Sequence, residues 1–458
     1  MEIAPDEIKQ LCSHLFIDHE RLERFMNIFN AEVEKGISED NGSKELRMLN
    51  TFVKEITTKK IIGEYLALDF KGRYYRVMRV IMHQDNDKSD IDETLYTIPK
   101  KIRMESGLEM FKFIAQTFLD FLAIRGLQDH EYDLAACFNF PVELRSLSEA
   151  ILISWTKEFS CESVVGQDVC ALLQGAFTSL GLKIRVKAVF NDTVAVLAAC
   201  ASRDPECGMG LIVSAGTNCC YYEKASAIKR DFARIADGQE ILINTEWGAF
   251  GQGGCIDEFR SEYDKLIDES SMSPGKQTFE KMVSTLYIGE LARLLIVEAT
   301  NKKILFKGEL PEKFGYPQSF TSQFLFDIDR DPPNVALSAE VVLRERFKMA
   351  VMSRNDLVSI RYICRAVITR AANLLGAACA CLINRMGRRR NTLAVEGSFF
   401  RFSSTFPAIL VETITELLPY SHTFKLKLVD DGTGKGAAAI IAAMDNITPP
   451  PLKTILLA

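Results

Sequence analysis

The segment 184–202, IRVKAVFNDTVAVLAACAS, constrains this chain more than any other. Its first seven residues, IRVKAVF, predict a buried strand, and VAVLAACAS at 194–202 predicts an apolar, Ala-rich helix. A strand feeding directly into a helix implies a mixed α/β fold. It also places Asn191, Asp192 and Thr193 where the strand ends and the helix begins. A lone aspartate there reads as a helix N-cap, but this one has company. Thr156 and Lys157 lie upstream, and Asn218 and the run NTEWGAFGQGG at 244–254 lie downstream. Amides, carboxylates, a lysine and a hydroxyl at element ends suit hydrogen bonding to the hydroxyls of a sugar and removal of a proton from one of them.

Composition narrows the class. A chain of 458 residues, 47% apolar and 25% charged with net charge −6, reads as soluble, globular and built of two or three domains. Its mild acidity argues against a general nucleic-acid binder. The basic cluster of Arg385 with Arg388–Arg390 reads as cations at a helix C-terminus. Twelve cysteines occur without a CxxC pair, which points to reduced cytosolic thiols and no zinc site. The first residues, MEIAPDEIKQ, resemble neither a secretory nor a membrane-inserting segment, and no apolar run reaches membrane-spanning length.

Along the chain, 5–35 predicts one amphipathic helix, 36–44 a turn, and the stretch to Ile61 a second helix. Residues 64–82 and 209–223 each read as strand–turn–strand, with Gly72 and Gly216 in the turns. The two hairpins form a weak internal repeat, which predicts two similar α/β lobes rather than one doubly wound sheet. A third glycine turn, Val395–Ser398, follows the strand TLAV. A fourth, Asp430–Gly436, precedes the helix AAAIIAAMD with the wrong spacing for a Walker A loop. Residues 312–337 read as a long surface loop.

In order and spacing, several runs resemble the hexokinase family. They are WTKEF at 155–159, GQDV at 166–169, NDTV at 191–194, NTEWGAFG at 244–251, DEFRSEYDKLIDESS at 257–271, PGKQTFEKM at 274–282, INRM at 383–386 and GTGKGAA at 432–438. The resemblance covers nearly the whole chain, in a single-unit form. It implies two actin-like (ribonuclease H-type) lobes around a cleft. The expected division is N-terminal helices 1–62 of the large lobe, a small lobe 63–190, a large lobe 191–433, and a helix and tail 434–458 returning to the small lobe.

The resemblance also implies roles. Thr156, Lys157, Asn191, Asp192, Asn218, Glu246 and Glu280 would contact sugar hydroxyls, with Asp192 taking the proton of the 6-hydroxyl and Lys157 near the phosphoryl group. Asn139 stands where the family has serine and would still donate to a sugar oxygen, an altered contact rather than a lost one. ATP with Mg²⁺ would be the cofactors, and a monomer acting on glucose, mannose or fructose the expected form. On the nucleotide side Asp69 would orient the water around Mg²⁺. The family's Leu-Asp-Leu-Gly-Gly-Thr-Asn-Phe-Arg hairpin reads Leu68–Asp69–Phe70–Lys71–Gly72–Arg73–Tyr74–Tyr75–Arg76, and its second Gly-Thr-Gly reads Ser214–Ala215–Gly216. Gly397 and Ser398 follow a glutamate in place of aspartate, while Thr433, Gly434 and Lys435 keep the family's loop. Lys71 and Arg73 either pair the phosphates directly or obstruct their approach. Two functions follow: a hexose kinase, or a hexose-binding sensor of the same fold with weak or absent catalysis. An actin-like ATPase is disfavoured because the sugar side is retained and the nucleotide side is not.

Overall fold

A computed structural model describes residues 4–445, apart from 39–42, 54–55, 57–60, 84–88, 105, 156–158, 231–239 and 333–334. The strands, in chain order, are β1 (Leu49–Asn50), β2 (Gly63–Phe70), β3 (Tyr74–Met82), β4 (Ser89–Thr97), β5 (Tyr132–Phe138), β6 (Val142–Ser146), β7 (Glu149–Leu152), β8 (Ile184–Phe190), β9 (Cys207–Val213), β10 (Thr217–Lys224), β11 (Glu240–Asn244), β12 (Arg390–Glu396) and β13 (Thr423–Leu428). One sheet runs β4-β3-β2-β5-β8 and the other β1-β11-β10-β9-β12-β13, with β6 and β7 a separate hairpin. In each sheet three strands form an antiparallel meander and two more join in parallel. Apart from β1 on one edge, the two sheets share one strand order, so the weak hairpin repeat marks a repeated sheet architecture.

Side-chain alternation explains the layering. On β2, Leu66, Leu68 and Phe70 join an aromatic core with the helices Gly107–Ala123 and Val169–Ser179. Ala67 faces the other way, into a core that also takes Cys220, Leu242 and Ala394 from the second sheet. Two Ala-rich helices, Asp192–Ala201 and Gly432–Asp445, fill the space between the sheets. The far side of the second sheet packs on the 33-residue helix Arg354–Met386. That helix is long and apolar enough to cross a membrane by length and composition, contrary to expectation, but 89% of its most apolar window is buried inside the protein. Its last turn carries Arg385, ion-paired with Glu223 at 2.7 Å.

The two inter-sheet helices meet backbone to backbone at Gly436, where an added Cβ would lie 2.2 Å from the Ala195 carbonyl oxygen. Neither partner atom belongs to a side chain that could turn away. Gly436→Ala is therefore expected to cost about 1–3 kcal/mol, read as a fall in thermal midpoint, and to displace the helix that carries Asp192.

Four local expectations need correction. The first amphipathic segment is two helices, Asp6–Cys12 and His19–Ser38, separated by a 3-10 turn and the extended residue Phe16. Asp18 starts the second by accepting from the Arg21 amide at 2.9 Å. Among the described residues from 43 to 61 there is no helix, and Leu49–Asn50 instead pairs with Asn244 and Ile243 at the sheet edge. The 312–337 stretch contains the helix Ser322–Asp329, held by buried Leu325, Phe326 and Ile328. Finally, the turn at 430–436 is partly helical, since the last helix already begins at Gly432.

Candidate active site

The inter-sheet core is apolar along the strand centres and turns polar at one end. Two residues beyond inward-facing Ala67 stands Asp69; two before Cys220 stands Asn218; two beyond Leu242 and Ala394 stand Asn244 and Glu396. The two-residue period of a strand thus delivers four polar side chains to the same gap between the sheets. Asp192 enters that gap from the first turn of its helix. The cap itself is Asn191, whose Oδ1 accepts from the Thr193 amide at 3.0 Å and the Thr193 hydroxyl at 2.8 Å.

These side chains form one hydrogen-bonded array. Asn218 Nδ2 donates to Asn191 Oδ1 at 3.3 Å, Asn244 Oδ1 at 2.9 Å and Glu246 Oε1 at 3.1 Å. Asn244 Nδ2 donates to the same Glu246 oxygen at 2.7 Å. On the other flank, Asn139 Nδ2 donates to Asp192 Oδ2 at 2.7 Å, while the Thr193 amide reaches Asp192 Oδ1 at 2.9 Å. Glu246 adopts left-handed backbone (φ 52°) as β11 gives way to a 3-10 turn. Buried Trp247 anchors that turn by donating to Thr217 Oγ1 at 3.1 Å. Burial pushes the Glu246 carboxyl above its ordinary value, the Asn244 and Asn218 donors and Arg47 oppose this, and the Asp192 charge adds to it. Glu280 reaches the cleft from the helix Thr278–Val283, and its Oε2 accepts from the Thr217 amide at 3.0 Å. A Cβ at Gly216 would stand 2.7 Å from that oxygen, so a side chain there would push the Glu280 carboxylate aside.

On the nucleotide side, Asp69 is 3% exposed and faces Arg76 directly across the β2–β3 ladder. Arg76 Nη2 donates to Asp69 Oδ2 at 2.8 Å, and its Nη1 reaches Glu93 at 2.8 Å and Asp431 at 3.4 Å. Lys71 Nζ lies 3.3 Å from the same Asp69 oxygen. Burial works against the Lys71 ammonium, but Asp69, Cys137, Asp192 and Glu396 outweigh it and hold the group above its ordinary value. Burial pushes the Glu396 carboxyl up, Lys71 and Arg401 draw it down, and Asp192 and Asp69 push it further up. Gly397 (φ 123°) lies so close to Val213 that a Cβ would meet its carbonyl oxygen at 2.2 Å. Ser398 Oγ lies 3.2 Å from Ser214 Oγ and 3.3 Å from Thr285 Oγ1.

Models of the family described as hexokinase match residues 7–202 and 208–444. The chain belongs to the hexokinase family. It is 40% identical to a hexokinase of Schistosoma mansoni over 406 residues, which covers 88% of this chain and 89% of that one. Hexokinase-1 of Homo sapiens is 33% identical across 96% of this chain, which spans about half that protein's length (49%). The structure of Schistosoma mansoni hexokinase complexed with glucose superposes with a TM-score of 0.86 at 36% identity, covering 96% of this chain and 98% of that one.

For a hexokinase, the residues expected to face the sugar fall together: Asn139, Asn191, Asp192, Asn218 and Glu246 share one array, with Glu280 joined to it through the second hairpin. Thr156 and Lys157 lie outside the described residues. The nucleotide-side expectations divide. Asp69, Lys71 and Arg76 cluster, and Gly72 is the hairpin's buried turn. Arg73 is exposed and stacks over the Tyr74 ring, 4.6 Å from guanidinium carbon to ring centre. Thr433 is buried, Lys435 Nζ donates to the Asp430 carbonyl at 3.1 Å, and Gly434 packs against Met78, Val80 and Ile91. Sequence reasoning missed Asn244, which bridges Asn218 and Glu246. Its signal was its place at the head of the NTEWGAFG run. It also missed Glu45, whose carboxylate holds the Gly251 amide at 2.5 Å and the Gly253 amide, fixing the loop beyond Glu246.

The donor set also bears on Mg²⁺. Among the described residues no three His, Cys, Asp or Glu side chains gather to cage a metal ion. Mg²⁺ carried on a polyphosphate keeps several waters and asks the protein for only one or two carboxylates. Asp69 fits that role, because its Oδ1 is buried without a hydrogen-bond partner.

Proposed function

We propose that this chain transfers the γ-phosphoryl group of ATP to the 6-hydroxyl of a hexose, with glucose the first candidate. The observation that carries the reading is the array that sets Asn218, Asn244 and Glu246 beside Asp192, next to the Asp69–Lys71–Arg76 cluster. Amides and carboxylates converging from separate elements match the alternating donors and acceptors of a sugar ring. In this reading Asn191, Asn218, Glu246 and Glu280 hold the ring hydroxyls, and Thr156 and Lys157 complete the set. Asp192 takes the 6-hydroxyl proton as that oxygen attacks phosphorus. Asn139 on Oδ2 and the Thr193 amide on Oδ1 fix the plane of the Asp192 carboxylate. Lys71 and Arg76 face the phosphates with positive charge. When bound, Mg²⁺ supplies neutralisation of phosphate charge, with Asp69 holding it through water.

We extend the proposal to a monomer acting in the cytosol, supported by twelve cysteines that are all thiols, eleven of them buried. The two sheets belong to lobes that close on the sugar, with 63–190 as the small lobe, 1–62 and 191–433 in the large lobe, and 434–458 returning to the small lobe.

A coupled assay of ADP release with glucose, mannose and fructose tests the activity. Sugar-dependent turnover supports it, and none with any of the three overturns it. One observation favours a slow enzyme or a sugar-binding sensor: the Lys71 ammonium already lies 3.3 Å from the Asp69 carboxylate. Calorimetric glucose binding without turnover would select the sensor. Either way, Glu246→Ala is expected to weaken glucose binding about 10- to 100-fold, since hydrogen bonds to a charged group contribute about 1.5–3 kcal/mol. Unchanged affinity would remove Glu246 from the sugar site.

A further inference from the structure

Positive charge is distributed unevenly between the two oxygens of Asp69. Oδ2 faces three cationic nitrogens: Arg76 Nη2 at 2.8 Å, Arg76 Nε at 3.1 Å and Lys71 Nζ at 3.3 Å. Oδ1 is buried with no hydrogen-bond partner. The two cations are held differently. Arg76 stands opposite Asp69 on β3 and also reaches Glu93 at 2.8 Å and Asp431 at 3.4 Å, so three carboxylates share it. Lys71 arrives by its place in the chain. It lies two residues beyond Asp69, and strand alternation carried one residue past β2 returns its side chain to the face that Asp69 turns to the gap. Phe70, between them, enters the aromatic core. The Lys71 side chain stays 40% exposed beside a carboxylate side chain that is 3% exposed. The glycine of the family's hairpin would bring no charge to this place. An ammonium on a flexible stem, next to a buried carboxylate and open to solvent, is a cation that can serve an incoming anion as well.

We propose that the Lys71 ammonium is a resident cation of the nucleotide side, supplying part of the phosphate neutralisation that Mg²⁺ would otherwise bring, so that this cleft binds metal-free ATP nearly as tightly as Mg·ATP. This rests on the kinase reading above and deepens it. Two effects act in the same direction. Metal-free ATP is more negative than its Mg²⁺ complex, so a positioned ammonium holds it more strongly. A Mg²⁺ ion held through water beside Asp69 would also meet two like charges already resting on that carboxylate, which weakens the carboxylate's hold on it. Oδ1 remains for the metal's water shell, so the advantage of the metal is reduced rather than abolished.

The test is calorimetric titration of the full chain with ATP, once in EDTA and once in excess Mg²⁺. Wild type, Lys71→Met, Lys71→Arg and Arg73→Met are compared, and glucose binding is measured on each to report an intact fold. The readout is the ratio of the Kd for metal-free ATP to the Kd for Mg·ATP. It is expected to lie below about 5 in wild type and to rise about 10-fold in Lys71→Met, while Lys71→Arg stays near wild type. Arg73→Met removes the same charge from the same hairpin, but that guanidinium is stacked on the Tyr74 ring, and the ratio is expected not to move. A wild-type ratio above that bound overturns the resident cation, and so does a ratio that Lys71→Met leaves unchanged or lowers. An equal rise in Arg73→Met also overturns it, because net charge rather than this ammonium would then set the ratio. If every chain binds glucose but none binds ATP in either buffer, the kinase reading falls together with the resident cation. If Mg·ATP binds and supports sugar-dependent turnover while Lys71→Met keeps the wild-type ratio, only the resident cation falls.

Discussion

Asp192→Ala is expected to lower kcat for hexose phosphorylation by about 10²–10⁴-fold, the range that a positioned general base supplies. A sugar hydroxyl is a weak acid, and the carboxylates that the described residues bring to the array are Asp192, Glu246 and Glu280, of which Glu280 is turned to the Thr217 amide at 3.0 Å. Glu246 already accepts from two amides on one oxygen, Asn218 at 3.1 Å and Asn244 at 2.7 Å. Asp192 leads its helix and borders both the sugar array and the Lys71 charge. The fold should survive the change, because the cap of this helix is Asn191 and Asp192 adds only the Thr193 amide contact and the bond from Asn139. The control is therefore Asn191→Ala, which is expected to cost about 0.5–2 kcal/mol of stability as a lost N-cap. Calorimetric melting of both variants beside the coupled assay separates the two roles. Asp192→Ala with wild-type turnover would move the base elsewhere.

The contrast between Asn191 and Asp192 shows what the sequence could carry. That a strand runs into a helix at 190–192 was legible from apolar runs, and so were both hairpins, because burial on strands and helices leaves a local period. Local pattern does not say which sheet a residue joins. Leu49–Asn50 is a strand only because β11 offers it an edge, so its neighbours suggested helix instead. The first two helices read as one because both turn apolar faces to the same core, and the break at Phe16 leaves that periodicity nearly in phase. In the 312–337 stretch, prolines and charges suggested loop. Leu325 and Phe326 are nonetheless buried, and Asp329 is ion-paired with Arg365 on the long helix.

The site was legible in the same uneven way. Asn218, Glu246 and Glu280 were named through motifs, while Asn244 stood unremarked two residues before Glu246. What joins them is the face each strand turns toward the gap, which depends on the pairing of β9, β10 and β11 in space. Lys71 reads in sequence as a hairpin charge, and the fold turns its ammonium back to within 3.3 Å of Asp69 Oδ2. Arg73, two residues on, points away and stacks on Tyr74, so the two new cations of that hairpin are not equivalent.

Arg370→Leu is expected to destabilise the protein by about 3–5 kcal/mol in urea unfolding at neutral pH, the cost of stranding a buried ion. Arg370 is 1% exposed and Asp264 4%, and their two parallel bonds measure 2.7 and 2.6 Å. Burial alone would raise the Asp264 carboxyl, but Arg370 and the Ser261 donors outweigh it and hold the group below its ordinary value of 3.8. A carboxyl lowered by folding contributes stability above that ordinary value, and the contribution is lost as pH falls through the folded value. The gap between wild type and Arg370→Leu should therefore be widest near neutrality and narrow in acid. A gap that stays constant or widens below pH about 4 would show that lost packing, not the charge pair, sets the effect. The pair also bears on the sugar site, because Arg370 Nη2 donates to the Met282 carbonyl at 3.2 Å, at the end of the helix that presents Glu280. Loosening that helix should raise the KM for glucose several-fold more than it lowers kcat, since Asp192 stands on a different helix. An equal fall in kcat with unchanged KM would mean that Arg370 acts on the cleft by some route other than Glu280.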